Sequence, residues 1–211
     1  ELMKILEKKK FLTDKKFHIK VDKRIPSQAG LGGGSMNAAS ILKYFIKKKI
    51  IKIKKKQIFK ISKMIGSDVI LGLNSFNTIL TSKNKIKIFT KYKKIHTLIV
   101  KPKFGCSTKE IYSKVKNFER PKLDRPNKNM FNLDYLKKMN NNLELIVFSK
   151  YPNLKKIKLF IEKSLNPVFV RMSGSGSVLV AYFKSKKICE LAKKKFNKKY
   201  KNYWCIASKT I

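Results

Sequence analysis

Nine residues, Pro26-Ser-Gln-Ala-Gly-Leu-Gly-Gly-Gly34, hold four glycines and run into Ser35-Met-Asn-Ala-Ala39. Glycines at this density let a backbone approach an anion closely. Unpaired N–H groups at a following helix start would face that anion, helped by the helix dipole. Ser35 and Asn37 add side-chain hydrogen bonds suited to phosphate oxygens or to the water shell of a metal. Ala38 and Ala39 let the first turn pack tightly beneath the loop. Two other phosphate loops do not fit. No lysine occurs between Pro26 and Lys43, as a Walker A loop requires, and Ser35 or Asn37 stands where G-x-G-x-x-G needs its last glycine.

Gly66-Ser-Asp68-Val69 sets one of only 12 acids beside small residues and ahead of an apolar run. A carboxylate there can accept the proton of a substrate hydroxyl and position it for attack on a phosphate. An ordinary capping Asp is the competing assignment. Ser173-Gly-Ser-Gly-Ser177 is a second glycine loop, suited to a nest of N–H groups, although such turns also occur in plain hairpins.

The elements around these segments follow from periodicity. Residues 2–10 read as the end of an amphipathic helix, and 16–25 alternate as a half-buried strand does. Helices are expected from Ser35 onward and over 55–65, with strands at 77–81 and 85–90. Residues 95–100 form a buried strand, and Ser107-Thr-Lys-Glu110 is a capping-box pattern that opens a helix through Val115. Residues 118–130 read as an exposed loop. Helices at 132–139, 141–149 and 153–164, strands at 168–172 and 178–183, a helix at 185–197 and a strand at 202–208 complete the chain. The order β-α-α-β-β-α-β of this half resembles a split βαβ, ferredoxin-like arrangement.

Composition narrows the class. Hydrophobic residues make up 43% of the chain, too many for a disordered one, and no apolar run is long enough to cross a bilayer. A soluble globular protein is expected. The formal charge of +40 points first to nucleic acid or an anionic membrane surface. However, Arg24, Arg120, Arg125 and Arg171 are the only arginines among 52 basic residues, and the lysines recur in every exposed segment. Nucleic-acid readers exploit the arginine fork, so the charge reads as compositional background. Cys106, Cys189 and Cys205 lack C-x-x-C spacing, and His18 and His96 lack a ligand partner at motif spacing. No zinc site or disulfide framework is expected, and a reducing cytoplasm is the default.

Taken together and in this order, the three loops closely resemble the phosphate-binding machinery of the GHMP kinases (galacto-, homoserine, mevalonate and phosphomevalonate kinases). The triple glycine with Ser35-x-Asn-Ala-Ala39 resembles the branch that acts on a cytidine-diphosphate-linked methylerythritol. Asp22-Lys-Arg-Ile-Pro26, Gly66-Ser-Asp-Val69, Pro102-Lys-Phe-Gly-Cys-Ser-Thr108 with Ile111-Tyr112, Asn141-Asn-Leu-Glu144 and Met172-Ser-Gly-Ser-Gly-Ser177 resemble further segments of that branch. The resemblance implies an α+β fold of two domains: a ribosomal-protein-S5-like nucleotide domain over 1–94, present in part, and a ferredoxin-like domain over 95–211. It implies transfer of the γ-phosphoryl of ATP, with Mg²⁺, to the 2-hydroxyl of 4-diphosphocytidyl-2-C-methyl-D-erythritol, on the non-mevalonate route to isoprenoid precursors.

By the same resemblance, Pro26, Gly30, Leu31, Gly32, Gly33, Gly34, Ser35 and Asn37 would hold the nucleotide, Ser35 also meeting the metal, with Lys23 nearby. Asp68 would be the catalytic aspartate and would meet the substrate. Thr108 and Tyr112 would face the substrate, the ring stacking on cytosine, and Gly174, Ser175 and Gly176 would close the site. A cytoplasmic monomer or homodimer without nucleic-acid or membrane partners is expected. The alternatives are another GHMP small-molecule kinase or a basic nucleic-acid-binding protein.

The resemblance departs at three places. The family's opening Lys-x-Asn strand and Gly-Tyr-His segment are not found in the 25 residues before Pro26, and residue 1 is Glu. An N-terminally truncated fragment with little or no turnover of its own is therefore expected. Ile70 stands for the family's proline, which bears on the backbone behind Asp68. Met36 stands for a second loop serine, which bears on a phosphate or metal contact.

Overall fold

Apolar spacing, with few side-chain caps, sets the helices of the first half. The computed structural model describes residues 1–12, 16–90 and 93–210. Helix α1 (Leu2–Lys8) buries Leu2 and Leu6, one helical turn apart. Helix α2 (Gly33–Lys47) buries Ala38, Ala39, Leu42 and Phe45, and α3 (Lys55–Ile65) buries Ile61 and Ser62 before Gly66 ends it. A single turn, α4 (Val69–Gly72), follows. These faces share one core with Ile51 and Val69. A β-carbon on Gly72 would lie 2.8 Å from atoms of Ala39 and Met36, so glycine is what lets α4 close onto α2. Strands β1 (Asn77–Leu80) and β2 (Ile86–Phe89) form an antiparallel pair.

Strand β3 (His96–Lys101) opens the second half, followed by α5 (Thr108–Ser113), a 3-10 turn over Lys128–Phe131, α6 (Leu133–Lys138), α7 (Leu143–Lys150) and α8 (Pro152–Ser164). Strands β4 (Phe169–Met172) and β5 (Leu179–Phe183), helix α9 (Lys186–Lys199) and β6 (Trp204–Lys209) complete it. The sheet runs β4-β5-β3-β6, with each neighbouring pair antiparallel. With β3 counted first, that is the 2-3-1-4 order of a split βαβ, ferredoxin-like sheet. Leu98 and Val100 of β3 and Leu179, Ala181 and Phe183 of β5 alternate inward against Leu154, Ile157 and Ile161 of α8 and Phe196 of α9. This is a second core, separate from the first.

Most expected elements are present within a residue or two. The exception is 16–25. Its residues 16–24 run without regular structure, and Ile19, Val21 and Ile25 stay 37–48% exposed. Alternation marks a chain able to sit in a sheet, but a strand also needs a neighbour to complete its ladder. Among the described residues this segment has none. Helix α2 starts two residues ahead of Ser35 because Gly32, in the left-handed region at φ +63°, turns the chain there, and its carbonyl accepts the Met36 N–H.

Candidate active site

Helix α2 begins without a side-chain cap, since Gly32 holds the N-cap position. The first N–H groups of a helix have no intrahelical partner, and here those of Gly33, Gly34 and Ser35 open onto a cleft. A β-carbon on Gly33 or Gly34 would meet nothing within 4 Å, so both face open space. The cleft measures about 770 Å³ and is lined by residues 21–35, Asn37, Ser67, Asp68, Thr108, Tyr112, Gly174 and Ser175.

Nearly every candidate site residue therefore meets in one cavity, although the lining runs from Val21 to Ser175 in the chain. Lys23, Pro26, Gly30 to Ser35 and Asn37 form one wall. Asp68 faces them; a β-carbon on Gly32 would stand 3.7 Å from its Oδ2. Asp68 sits at the N-cap of α4, but its carboxylate caps nothing and instead accepts the Ser67 hydroxyl at 3.2 Å. It is exposed, which leaves the carboxylate open to a ligand. Thr108 and Tyr112 arrive on α5, where Ser107 caps the Glu110 N–H at 3.4 Å. The Thr108 and Ser175 hydroxyls lie 2.9 Å apart. The Tyr112 ring, 55% exposed, has room for a flat partner.

Two residues lie elsewhere. Gly176 is buried behind the cleft, where a β-carbon would press on Met172 Sδ at 3.0 Å and Cys106 Sγ at 3.2 Å. Met36 does not line the cleft; its thioether packs against Gly72 beneath it.

Three comparisons bear on this arrangement. Residues 1–81 match the family described as GHMP kinases N terminal domain, and residues 115–202 match GHMP kinases C terminal. A 4-diphosphocytidyl-2-C-methyl-D-erythritol kinase of Pelagibacter ubique is 54% identical over all 211 residues, which cover 75% of that protein. This chain belongs to the 4-diphosphocytidyl-2-C-methyl-D-erythritol kinase family of the GHMP kinases. Kinases of the same name from Petrotoga mobilis (35% identical over 76% of this chain and 65% of that protein) and Clostridium tetani (33%, over 92% and 70%) agree. The chain thus spans about two thirds to three quarters of the length of these relatives.

Solved structures show the same fold. A 4-(cytidine 5'-diphospho)-2C-methyl-D-erythritol kinase superposes with a TM-score of 0.67 at 23% identity, over 88% of this chain and 68% of that one. The homoserine kinase of Cytophaga hutchinsonii gives 0.65 at 12% identity, over 100% and 74%.

The structure of this GHMP kinase also shows supporting residues that spacing alone did not single out as such. Ala29 accepts the Val178 N–H through its carbonyl at 3.2 Å, which ties the glycine loop to the start of β5. Lys101 is buried, and its Nζ donates to the carbonyls of Pro102 and Phe104, both at 3.0 Å. Burial holds this ammonium below the usual lysine range, and Cys106 opposes that effect weakly. The Phe104 carbonyl also accepts the Ser177 hydroxyl at 2.6 Å, so Lys101 braces the turn that leads to Thr108. A buried lysine in a chain this rich in lysine carries no sequence signal. Gly105 permits the adjoining turn to pass Gln28, whose side chain would stand 2.5 Å from a β-carbon there. Among the described residues, no three His, Cys, Asp or Glu side chains gather as metal ligands, and no helix is long and apolar enough to cross a membrane.

Proposed function

We propose that this chain transfers the γ-phosphoryl group of ATP to the 2-hydroxyl of 4-diphosphocytidyl-2-C-methyl-D-erythritol, on the non-mevalonate route to isoprenoid precursors. The observation that carries this reading is the convergence of the Gly30–Asn37 loop, Asp68 and the Thr108–Tyr112 face on one cleft. Its support is the kinship with kinases named for that substrate.

In this reading the N–H groups of Gly33, Gly34 and Ser35 hold phosphate oxygens, and the dipole of α2 favours the negative charge. Lys23, on the same wall, adds a cation. Asp68 accepts the proton of the 2-hydroxyl, and that oxygen attacks the γ-phosphorus as its bond to the bridging oxygen of ADP breaks. Such transfer depends chiefly on alignment and charge neutralisation, which a rigid cradle and one carboxylate provide. The Tyr112 ring stacks on cytosine, Thr108 bonds the substrate, and Gly174 and Ser175 close the wall beside Gly30. Gly176 lets that wall seat itself on Cys106.

Magnesium fits the donors present. Ser35 and Asp68 offer oxygen, the ligand type this ion takes, and a site with few protein ligands suits an ion that keeps water and phosphate around it. Bound there, it would neutralise phosphate charge. We also place the boundary between the nucleotide and substrate halves near residue 94, between the two cores. The enzyme is read as cytoplasmic, a monomer or homodimer, without a nucleic-acid partner, because its lysines are dispersed and its arginines few.

The test uses the full gene product that contains these residues. ATP, Mg²⁺ and the cytidine substrate should give ADP and a 2-phosphorylated product, identified by phosphorus NMR. Asp68→Asn should lower kcat by roughly 10²–10⁴-fold with ATP binding retained. Phosphorylation of homoserine or mevalonate in preference to the cytidine compound would overturn the reading, as would an undiminished rate in the Asn variant.

A further inference from the structure

The Ser173–Ser177 loop is held from behind by side chains that do not line the cleft. At the start of α7, the Asn141 amide nitrogen donates to the Met172 carbonyl at 2.9 Å and to the Gly174 carbonyl at 2.7 Å. Glu144, one turn on, accepts the Met172 N–H at 2.6 Å with Oε1, and its Oε2 takes the Lys158 ammonium of α8 at 2.6 Å. These are short, charge-assisted contacts. The Glu144 and Lys158 side chains are only 14% and 19% exposed, so water competes weakly for either group.

One amide that spans the carbonyls of residues 172 and 174 fixes the turn between them, which is Ser173. That residue touches the other half of the chain. Its hydroxyl donates to the Gly30 carbonyl at 2.7 Å, and its own carbonyl would stand 2.2 Å from a β-carbon on Gly30. Gly30 in turn leads through Leu31 to Gly32, where a β-carbon would stand 3.7 Å from Asp68 Oδ2.

We propose that Asn141 and Glu144 are positioning residues for the phosphate loop. They fix Ser173, and Ser173 fixes Gly30 and the glycines that follow it against Asp68. The purpose assigned to this brace rests on the kinase reading above, whereas the mechanical coupling does not. A purely structural staple between α7 and β4 would lower stability without reaching residues 30–34, and that difference makes the proposal testable.

Asn141→Asp is the decisive change. It keeps the Oδ1 acceptor that caps the Leu143 N–H at 3.0 Å, removes both donors and sets a carboxylate against two carbonyl oxygens. In the full gene product, amide hydrogen exchange should speed up at least about tenfold at Met36, Gly176 and Val178, whose N–H groups are bonded to the Gly32, Ser173 and Ala29 carbonyls, with the β3 and β5 amides unchanged. The Kd of a non-hydrolysable ATP analogue should rise about tenfold, and the KM for the second substrate less than about twofold. Glu144→Gln retains an acceptor for the Met172 N–H but loses the carboxylate that meets the Lys158 ammonium, so it should lower Tm while leaving loop exchange and ATP-analogue binding close to wild type, whereas Glu144→Leu should reproduce the pattern of Asn141→Asp.

If the coupling runs through Ser173, then in a Ser173→Ala background Asn141→Asp should add little to the loss of nucleotide affinity. Additive effects in the double variant would overturn the proposal. So would a lowered Tm with exchange at Met36 and Val178, the amides bonded to the glycine loop, unmoved. Should Asn141→Asp fail to fold, Glu144→Leu decides by the same exchange readout. A wild-type protein that binds no ATP analogue would sink the kinase reading, while the exchange pattern would still decide whether the brace exists.

Discussion

The backbones of Gly30 and Ser173 touch across the two halves of the molecule, leaving no space for a side chain between them. The Ser173 hydroxyl bonds the Gly30 carbonyl at 2.7 Å, while Gly30 sits at φ +70° with its Cα facing the Ser173 carbonyl. A β-carbon there would be 2.2 Å from that oxygen and 2.9 Å from the Gly176 carbonyl. The first distance is far inside van der Waals contact, so the loops would have to part.

Two alanine substitutions in the glycine loop should therefore have opposite effects on stability. Gly30→Ala carries the left-handed penalty of about 1–2 kcal/mol and, in addition, the clash with backbone. A loss of about 3 kcal/mol, or roughly 6–12 °C in Tm, is expected. Gly34→Ala meets open space inside a helix and should raise stability by up to about 1 kcal/mol. Its methyl group nevertheless points into the cleft, so ATP affinity should fall. Calorimetric melting and nucleotide titration of both variants check this, and a Gly34→Ala protein with normal ATP affinity would contradict the close approach of phosphate.

Tyr112 tests the substrate face. Its ring is exposed at the cleft edge on a helix whose Ile111 is buried, so replacing the ring should not disturb the fold. Tyr112→Ala should raise the KM for the cytidine substrate by roughly 10–100-fold, the range for loss of one aromatic–base stack. The KM for ATP should move little, and Tyr112→Phe should be near normal. Steady-state kinetics with each substrate varied in turn separate these outcomes. Equal loss in the Phe and Ala variants would point to the hydroxyl as the contact.

The parts of this fold that were legible in the sequence are those set by local patterns. Helix α3 ends where Gly66 predicts, and α5 opens at the Ser107 cap that its Ser-x-x-Glu pattern marks. The strand expected over 16–25 was not, because alternation describes one chain and a ladder needs two. The cleft itself was legible only by resemblance, since nothing local says that Thr108 should lie 2.9 Å from Ser175. The bracing bonds of Asn141 and Lys101 were invisible for a related reason. A polar side chain that bonds distant carbonyls leaves no periodic trace.

The three cysteines should be chemically quiet. Burial pushes the Cys189 thiol up to about 11, with Glu190 adding to the effect, and the Cys205 thiol up to about 12. Cys106 is raised by burial as well, with Lys101 opposing. At pH 8 the thiolate fraction of the first two is on the order of 10⁻³–10⁻⁴, and the thiolate is the reactive form. In the native protein these three cysteines should react with an aromatic disulfide reagent at least about 100-fold more slowly than free cysteine, and all three should react once the chain is denatured. Fast native labelling would show that the second core opens readily.

Lys101 should leave a signature in the pH dependence of stability. Its folded pKa lies below its unfolded value because burial disfavours the charged form. In the window between the two, the unfolded chain binds more protons, so the unfolding free energy rises with pH. The chain with Lys101 charged therefore folds less favourably than with Lys101 neutral, and that handicap is relieved as pH climbs through its folded pKa toward the unfolded one. Lys101→Met removes the titration and leaves the Pro102 carbonyl without this donor, while Phe104 keeps the Ser177 hydroxyl. A net cost of about 1–2 kcal/mol near neutral pH is expected from the lost bonds. The other titrating groups are common to the two proteins and cancel in the difference once Cys106, which Lys101 influences, is replaced by alanine in both. The stability of the Lys101 protein minus that of the Met variant, measured by urea unfolding at steps from pH 8 to 10.5, should grow as the pH rises. A flat or falling difference would mean that the Lys101 ammonium is well solvated, and that the turn leading to Thr108 is held by the Ser177 hydroxyl alone.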